Sequence, residues 1–197
     1  YEIHERLVGS EMCIRDRVTG GARSGKSSFG EKYAAKYGKR VAYIATAQIW
    51  DKEMEFRVKL HKERRPADWQ TYEAPYEAHK AVAAAVQAGC DMILFDCLTV
   101  YTSNLLCSLD NIDDSDRNYG LLRDACQSLI DAVKKSNATM VVVTNEVGAG
   151  IVPENHLARE FRDLAGLANQ LLATASEEVY FTVAGIPVNI KKLAENW

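Results

Sequence analysis

Gly20-Gly21-Ala22-Arg23-Ser24-Gly25-Lys26-Ser27 is the stretch on which the reading of this chain turns. Its G-x-x-x-x-G-K-S spacing is that of a phosphate-binding loop, whose glycines let backbone N–H groups approach phosphate oxygens with no Cβ in the way. A helix opening near Lys26 adds the positive end of its dipole. In such a loop Lys26 reaches the β- and γ-phosphates, and Ser27 offers its hydroxyl to Mg2+, a hard cation that keeps most of its waters. The motif therefore predicts a nucleoside triphosphate as ligand.

Downstream of the loop, strand and helix patterns alternate. Ser28 to Tyr37 reads as a helix stopped by Gly38, and Val41 to Thr46 as a buried strand, which together complete a β-α-β unit. Residues 49–65 read as helical, residues 76–88 as an alanine-rich helix ending at Gly89, and Met92 to Asp96 as an apolar strand ending in a carboxylate. Asn111 to Asn118 is acidic and lacks an apolar period, so it predicts an exposed loop before a helix at 119–135. Thr139 to Thr144 is a further β-branched strand. Pro153 suits the first turn of a long helix whose Leu157, Phe161, Leu164, Ala168 and Leu171 follow three-to-four spacing. Glu178 to Ala184 and Val188 to Ile190 predict a closing hairpin around Gly185-Ile186-Pro187. The alternation implies an α/β fold with a mostly parallel central sheet covered by helices on both faces, a single domain over 18–197.

Upstream the pattern fails. A phosphate-binding loop follows a buried parallel strand, yet Cys13-Ile14-Arg15-Asp16-Arg17-Val18-Thr19 places charges where that strand should be dry. This predicts a short first strand around Val18, with residues 1–17 a foreign or disordered leader. The leader also lacks a signal peptide's apolar centre and cleavage site.

Composition narrows the classes. A chain of 197 residues with 47% hydrophobic and 26% charged residues suits one globular domain, and a net charge of -3 gives no overall drive toward nucleic acid or anionic membranes. The five cysteines show no C-x-x-C pair, which reads as reduced thiols of a cytoplasmic protein rather than a disulfide framework or zinc site. No apolar run approaches the roughly 18–20 residues of a membrane span.

Three further places carry chemistry. Asp96 ends an apolar strand, where it either holds Mg2+ or caps the turn before Leu98-Thr99. On the helix from Trp50 to Arg65, helical spacing puts Arg57, His61, Arg64 and Arg65 on one face. That face is either a solvated surface, with Glu53 and Glu63 interleaved, or an anion site in which arginines bind phosphate oxygens around a nucleophilic imidazole. Asn145-Glu146-Val147-Gly148-Ala149-Gly150 follows a strand, either as a ligand-facing edge or as a plain connection. His4, His79 and His156 read as surface or capping residues. The 57–65 patch is too small and too mixed in sign for a nucleic-acid groove.

Taken together, these segments resemble the bifunctional adenosylcobinamide kinase and adenosylcobinamide-phosphate guanylyltransferase family of cobalamin biosynthesis. The likeness runs from Val18 to about Lys191. It rests on Thr19 through Ser27, Tyr43-Ile44-Ala45-Thr46-Ala47, Asp51 with Glu53-Met54, Arg57, His61, Arg65-Pro66, Trp69 and Glu73. Asp96-Cys97-Leu98-Thr99, Asn104-Leu105-Leu106, Val143 through Gly148, Gly150 through Pro153, and Phe161-Arg162-Asp163 continue it. The resemblance implies a RecA-like P-loop NTPase core, a homotrimer, and two reactions using ATP or GTP. These are phosphorylation of adenosylcobinamide, then transfer of GMP from GTP to adenosylcobinamide phosphate through a GMP-histidine intermediate. It places that histidine at His61, the one histidine of Leu60-His61 where some relatives carry two. It assigns nucleotide contacts to Gly20, Gly21, Ala22, Arg23, Ser24, Gly25, Lys26 and Ser27, to Ala45, Thr46 and Ala47, to Lys62, Glu63, Arg64 and Arg65, and to Glu73 and Asp96. Lys26 joins His61 as catalytic, and Ser27 and Asp96 hold the metal. Without the resemblance, the loop and Asp96 would equally suit a small-molecule kinase lacking the transfer step, or a nucleotide-dependent switch.

Overall fold

The β-branched and apolar runs form strands because each can be buried on both faces, and the computed structural model, which describes residues 16–134 and 136–195, joins them in one sheet. In chain order the elements are β1 (Asp16–Gly20), α1 (Lys26–Tyr37), β2 (Val41–Ala45), α2 (Lys52–Arg64), β3 (Gln70–Glu73), α3 (Ala78–Gln87) and β4 (Met92–Asp96). They continue with α4 (Leu98–Cys107), α5 (Ser115–Lys134), β5 (Thr139–Val143), α6 (His156–Ala175), β6 (Glu178–Val183) and β7 (Ile186–Asn189). The sheet order is β3-β2-β4-β5-β1-β6-β7, parallel throughout except for the antiparallel β6–β7 hairpin.

The two sheet faces are covered unequally. Ala42, Ile44, Ile93, Phe95, Met140 and Val142 pack with buried residues of α3, α4, α5 and α6 in the larger core. On the opposite face Val18, Val41, Tyr43, Leu94, Val141 and Val143 meet α1 through Ala34, Phe29 and Tyr33. The helix α2 buries none of its residues, so it stands off the core and meets the rest of the fold through its C-terminal turns.

Several expectations are corrected. The short first strand around Val18 forms as Asp16–Gly20, but it takes in Asp16 and Arg17, set apart above with the leader, which are buried at 1% and 4% exposure. Main-chain pairing with β5 on one side and β6 on the other holds it, and the Arg17 guanidinium donates to the Asn169 carbonyl. Residues 1–15 lie outside the described residues. The acidic stretch 111–118 is only partly loop, since α5 begins at Ser115 after Asp114 accepts the Arg117 N–H at 3.1 Å. Pro153 precedes the last long helix rather than opening it; Asn155 is the cap, accepting from the Ala158 N–H at 3.2 Å. No helix among the described residues is long and apolar enough to cross a membrane, and Cys90, Cys97, Cys107 and Cys126 are free thiols.

Candidate active site

The carboxyl ends of β1, β2, β4 and β5 meet at one edge, where open parallel sheets bind ligands. The loop after β1 is built on close backbone approach. A Cβ on Gly20 would fall 2.4 Å from the Thr182 carbonyl oxygen, and Gly25 caps α1 with φ 94 in the left-handed region. The Gly185 N–H donates to the Ser24 carbonyl at 2.8 Å, tying the loop to the β6–β7 turn. No side chain caps α1 and no acid sits in its first turn, so its leading N–H groups are left for an anion. Lys26 is largely buried, its ammonium donating to the Gly21 carbonyl at 3.0 Å across the loop. Burial lowers its pKa, with Cys97 and then Asp96 opposing.

Asp96 ends β4 opposite Ala45 of β2. Its Oδ2 accepts the Tyr43 hydroxyl at 2.9 Å. Burial pushes the Asp96 carboxyl above its ordinary range, while His61, the Tyr43 hydrogen bond and Lys26 pull it down. Burial and the adjacent Asp96 also raise the Tyr43 phenol. The next peptide, Asp96–Cys97, is cis and is clasped by Thr46: its hydroxyl donates to the Cys97 carbonyl at 2.9 Å and accepts the Cys97 N–H at 2.8 Å. Asn104 of α4 then donates to the Thr46 carbonyl at 2.8 Å, fixing the segment that continues into Ala47.

The end of α2 brings His61 to this site. Its Nδ1 lies 3.6 Å from Glu31 Oε1 and 3.7 Å from Asp96 Oδ2. Arg65 pins the helix end: its guanidinium stacks 3.7 Å above the Tyr43 ring, Nε donates to the His61 carbonyl at 3.0 Å, and Nη1 reaches Thr71 at 3.2 Å. Lys62 pairs with Glu73 of β3 at 3.8 Å.

Most basic side chains of this helix have partners within the helix itself. Arg57 is spent on Glu53 at 2.5 Å, Lys59 lies 3.8 Å from Glu63, and Arg64 donates to the Leu60 carbonyl at 3.3 Å. Pairing one turn apart within the helix is local and wins over clustering of like charge. Two carboxylates, not arginines, face the imidazole. Among the described residues no hydrogen bond or ion pair joins Glu63 or Arg64 to the loop.

The segment after β5 is also more than a connection. The Glu146 N–H donates to the Gly20 carbonyl at 3.1 Å, Thr99 Oγ1 accepts the Asn145 N–H at 2.6 Å, and Asn169 of α6 donates to the Asn145 carbonyl at 3.1 Å. This network braces the strand end that flanks the loop.

Sequence reasoning missed Glu31 and the hydrogen-bonding role of Tyr43. Each had a periodic signal: Glu31 lies one helical turn beyond Ser27, and Tyr43 is two residues before Ala45 on the same strand face. For a divalent cation the chain offers the Ser27 hydroxyl in the first turn of α1 and the Asp96 carboxylate at the end of β4. Both are hard oxygen donors of the kind Mg2+ takes.

A mostly parallel sheet carrying a G-x-x-x-x-G-K-S loop after its first strand, with a buried acid ending another strand, defines a P-loop nucleotide-binding α/β protein. Residues 17–190 match the family described as cobinamide kinase / cobinamide phosphate guanyltransferase, and the chain belongs to that family. It is 46% identical over 179 residues to the bifunctional adenosylcobalamin biosynthesis protein CobU of Salmonella typhimurium, covering 88% of this chain and 98% of that protein. The Escherichia coli protein of the same name is 44% identical over 179 residues, covering 88% of this chain and 98% of that protein. CobP of Pseudomonas aeruginosa, also named a bifunctional adenosylcobalamin biosynthesis protein, is 40% identical over 178 residues, covering 90% and 98%.

Proposed function

We propose that this protein phosphorylates adenosylcobinamide and then transfers GMP from GTP to adenosylcobinamide phosphate, with His61 as the covalent carrier. The observation that carries the second step is the position of His61, with Nδ1 between Glu31 and Asp96 at the edge of the phosphate site. Nδ1 facing carboxylates favours the tautomer with its proton there, leaving the lone pair on Nε2. That lone pair attacks the α-phosphorus of GTP; the P–O bond to pyrophosphate breaks, and pyrophosphate leaves with the electron pair. A phosphate oxygen of adenosylcobinamide phosphate then attacks the same phosphorus. The P–N bond breaks, returning its electrons to Nε2 and releasing adenosylcobinamide-GDP.

In the first step the loop amides and Lys26 hold the β- and γ-phosphates of ATP or GTP while the corrinoid hydroxyl attacks, so catalysis is positioning and charge stabilisation. Ser27 and Asp96 would hold Mg2+, which would neutralise phosphate charge when bound. Gly20 through Ser27, Ala45 through Ala47, Lys62 through Arg65 and Glu73 surround the nucleotide. The active assembly is a homotrimer in the cytoplasm. The test is to incubate the protein with adenosylcobinamide, Mg2+ and GTP and resolve the corrinoid products. Adenosylcobinamide phosphate followed by adenosylcobinamide-GDP is expected; phosphate product alone refutes the transfer step.

A further inference from the structure

Glu31 plays no part in phosphate binding as described above, yet its placement is unusual. Its side chain is 11% exposed, its Oε1 is buried, and among the described residues that oxygen has no hydrogen-bond partner. A buried carboxylate oxygen without a hydrogen bond is costly, and such atoms are retained where another group uses their charge. The group it faces is the imidazole of His61, whose Nδ1 is itself buried and without a hydrogen-bond partner, 3.6 Å away. Asp96 lies at a similar distance, but its Oδ2 already accepts the Tyr43 hydroxyl and the same carboxylate also feels the Lys26 charge. Glu31 is the carboxylate with capacity to spare. It rises from α1 one turn beyond Ser27, on a rigid helix whose Gly30 and Ala34 are buried, so it is fixed relative to the phosphate loop rather than to the outlying helix that carries His61.

The geometry points to Glu31 as the positioning residue for His61, aligning the imidazole through Nδ1 and balancing the positive charge that it acquires when Nε2 bonds to the α-phosphorus. This rests on the reading of His61 as GMP carrier. In the covalent step the Nδ1 proton stays on the ring, the Nε2–P bond forms as the P–O bond to pyrophosphate breaks, and the resulting N-phosphorylated imidazolium faces the Glu31 carboxylate. When the acceptor takes the GMP, the ring returns to neutrality with its Nδ1 proton in place. Glu31 acts on the substrate only through His61.

The test measures single-turnover labelling of the full chain by GTP labelled at the α-phosphate, with Mg2+, in the parent, Glu31→Gln, Glu31→Asp and His61→Ala. Glu31→Gln should lower the labelling rate at saturating GTP by roughly 10- to 100-fold, the range typical of lost orienting partners. The GTP concentration giving half the maximal rate should stay within about threefold. Glu31→Asp keeps the charge on a shorter arm and should return the rate to within about tenfold of the parent. Parent-like labelling in Glu31→Gln overturns the inference. So does an equal loss in both Glu31 variants accompanied by a rise in half-saturation or loss of the near-UV dichroism, since that pattern belongs to a structural role. The His61→Ala arm separates the two levels. If it is unlabelled while Glu31→Gln labels normally, only Glu31 is wrong; if His61→Ala labels normally, the carrier assignment has failed and the Glu31 role with it.

Discussion

Replacing Arg17 with isoleucine is expected to stabilise the protein. The guanidinium sits within the strand between β5 and β6, 4% exposed, with Nη1 donating to the Asn169 carbonyl and Nε lacking a hydrogen-bond partner among the described residues. Burial lowers its pKa from the ordinary guanidinium range to about 10, against an opposing pull from Glu146. A base whose folded pKa lies below its unfolded value is disfavoured in its charged form by folding. At neutral pH Arg17 is charged in both states, so the cost is present throughout the range below about 10 and is relieved only as pH rises through that value. The depression corresponds to roughly 3 kcal/mol. Isoleucine removes this cost and suits a buried parallel strand. It also takes the donor from the Asn169 carbonyl, a loss of roughly 1–2 kcal/mol. Asn169 lines a cavity of about 450 Å3 with Arg17, Thr19 and Lys191, where water can hydrate that carbonyl. Glu146 is exposed and loses little. The net gain is about 1–2 kcal/mol, or roughly 2–8 °C in Tm. Urea unfolding followed by circular dichroism at pH 7 measures it. A loss of about 1 kcal/mol or more would show that contacts to Asn169 and Glu146 outweigh desolvation, refuting the reasoning.

Asp96→Asn should reduce Mg2+-dependent phosphorylation of adenosylcobinamide by roughly 100-fold or more while leaving the melting temperature equal to or above the parent's. Because burial raises the Asp96 carboxyl, its ionised form weighs against the fold. The parent's deficit therefore appears as pH rises above the ordinary aspartate value of about 4 and vanishes below it, and melting scans from acid to neutral pH should trace this. Gly20→Ala places a Cβ 2.4 Å from the Thr182 carbonyl oxygen and 2.6 Å from Ser24 Oγ. It should cost about 1–3 kcal/mol and weaken nucleotide binding by roughly tenfold in calorimetry; unchanged affinity would show that the loop gives way without harm.

Elements whose own residues repeat with a clear period were legible. The loop, β2, β4, β5 and the β6–β7 hairpin fall within a few residues of where apolar runs placed them. What escaped depends on long-range partners. The strand β3, Gln-Thr-Tyr-Glu with alternating partial burial, forms because Ala42 to Ala45 offer it an edge, and its own composition is too polar to announce it. The helix α4 follows Asp96 after a single residue and begins without a side-chain cap, so its start carries no local signal. The charged first strand holds because ladders on both sides fix its backbone, a constraint that local polarity hides.

At the site, helical spacing singled out His61, but spacing on one helix shows nothing of what faces it across the fold. The arginines of α2 found partners one turn away, and the imidazole met Glu31 and Asp96 instead. The surroundings of the nucleophilic imidazole therefore changed from cations to carboxylates, while the role inferred for it did not.

The most direct measurement is covalent labelling of the purified chain by GTP radiolabelled at the α-phosphate, followed by alkaline digestion and mapping of the modified peptide. Label confined to the peptide containing His61, released as adenosylcobinamide-GDP on adding adenosylcobinamide phosphate and absent in His61→Ala, is the predicted result. Undiminished labelling of His61→Ala, or product formation with no labelled protein, would contradict it.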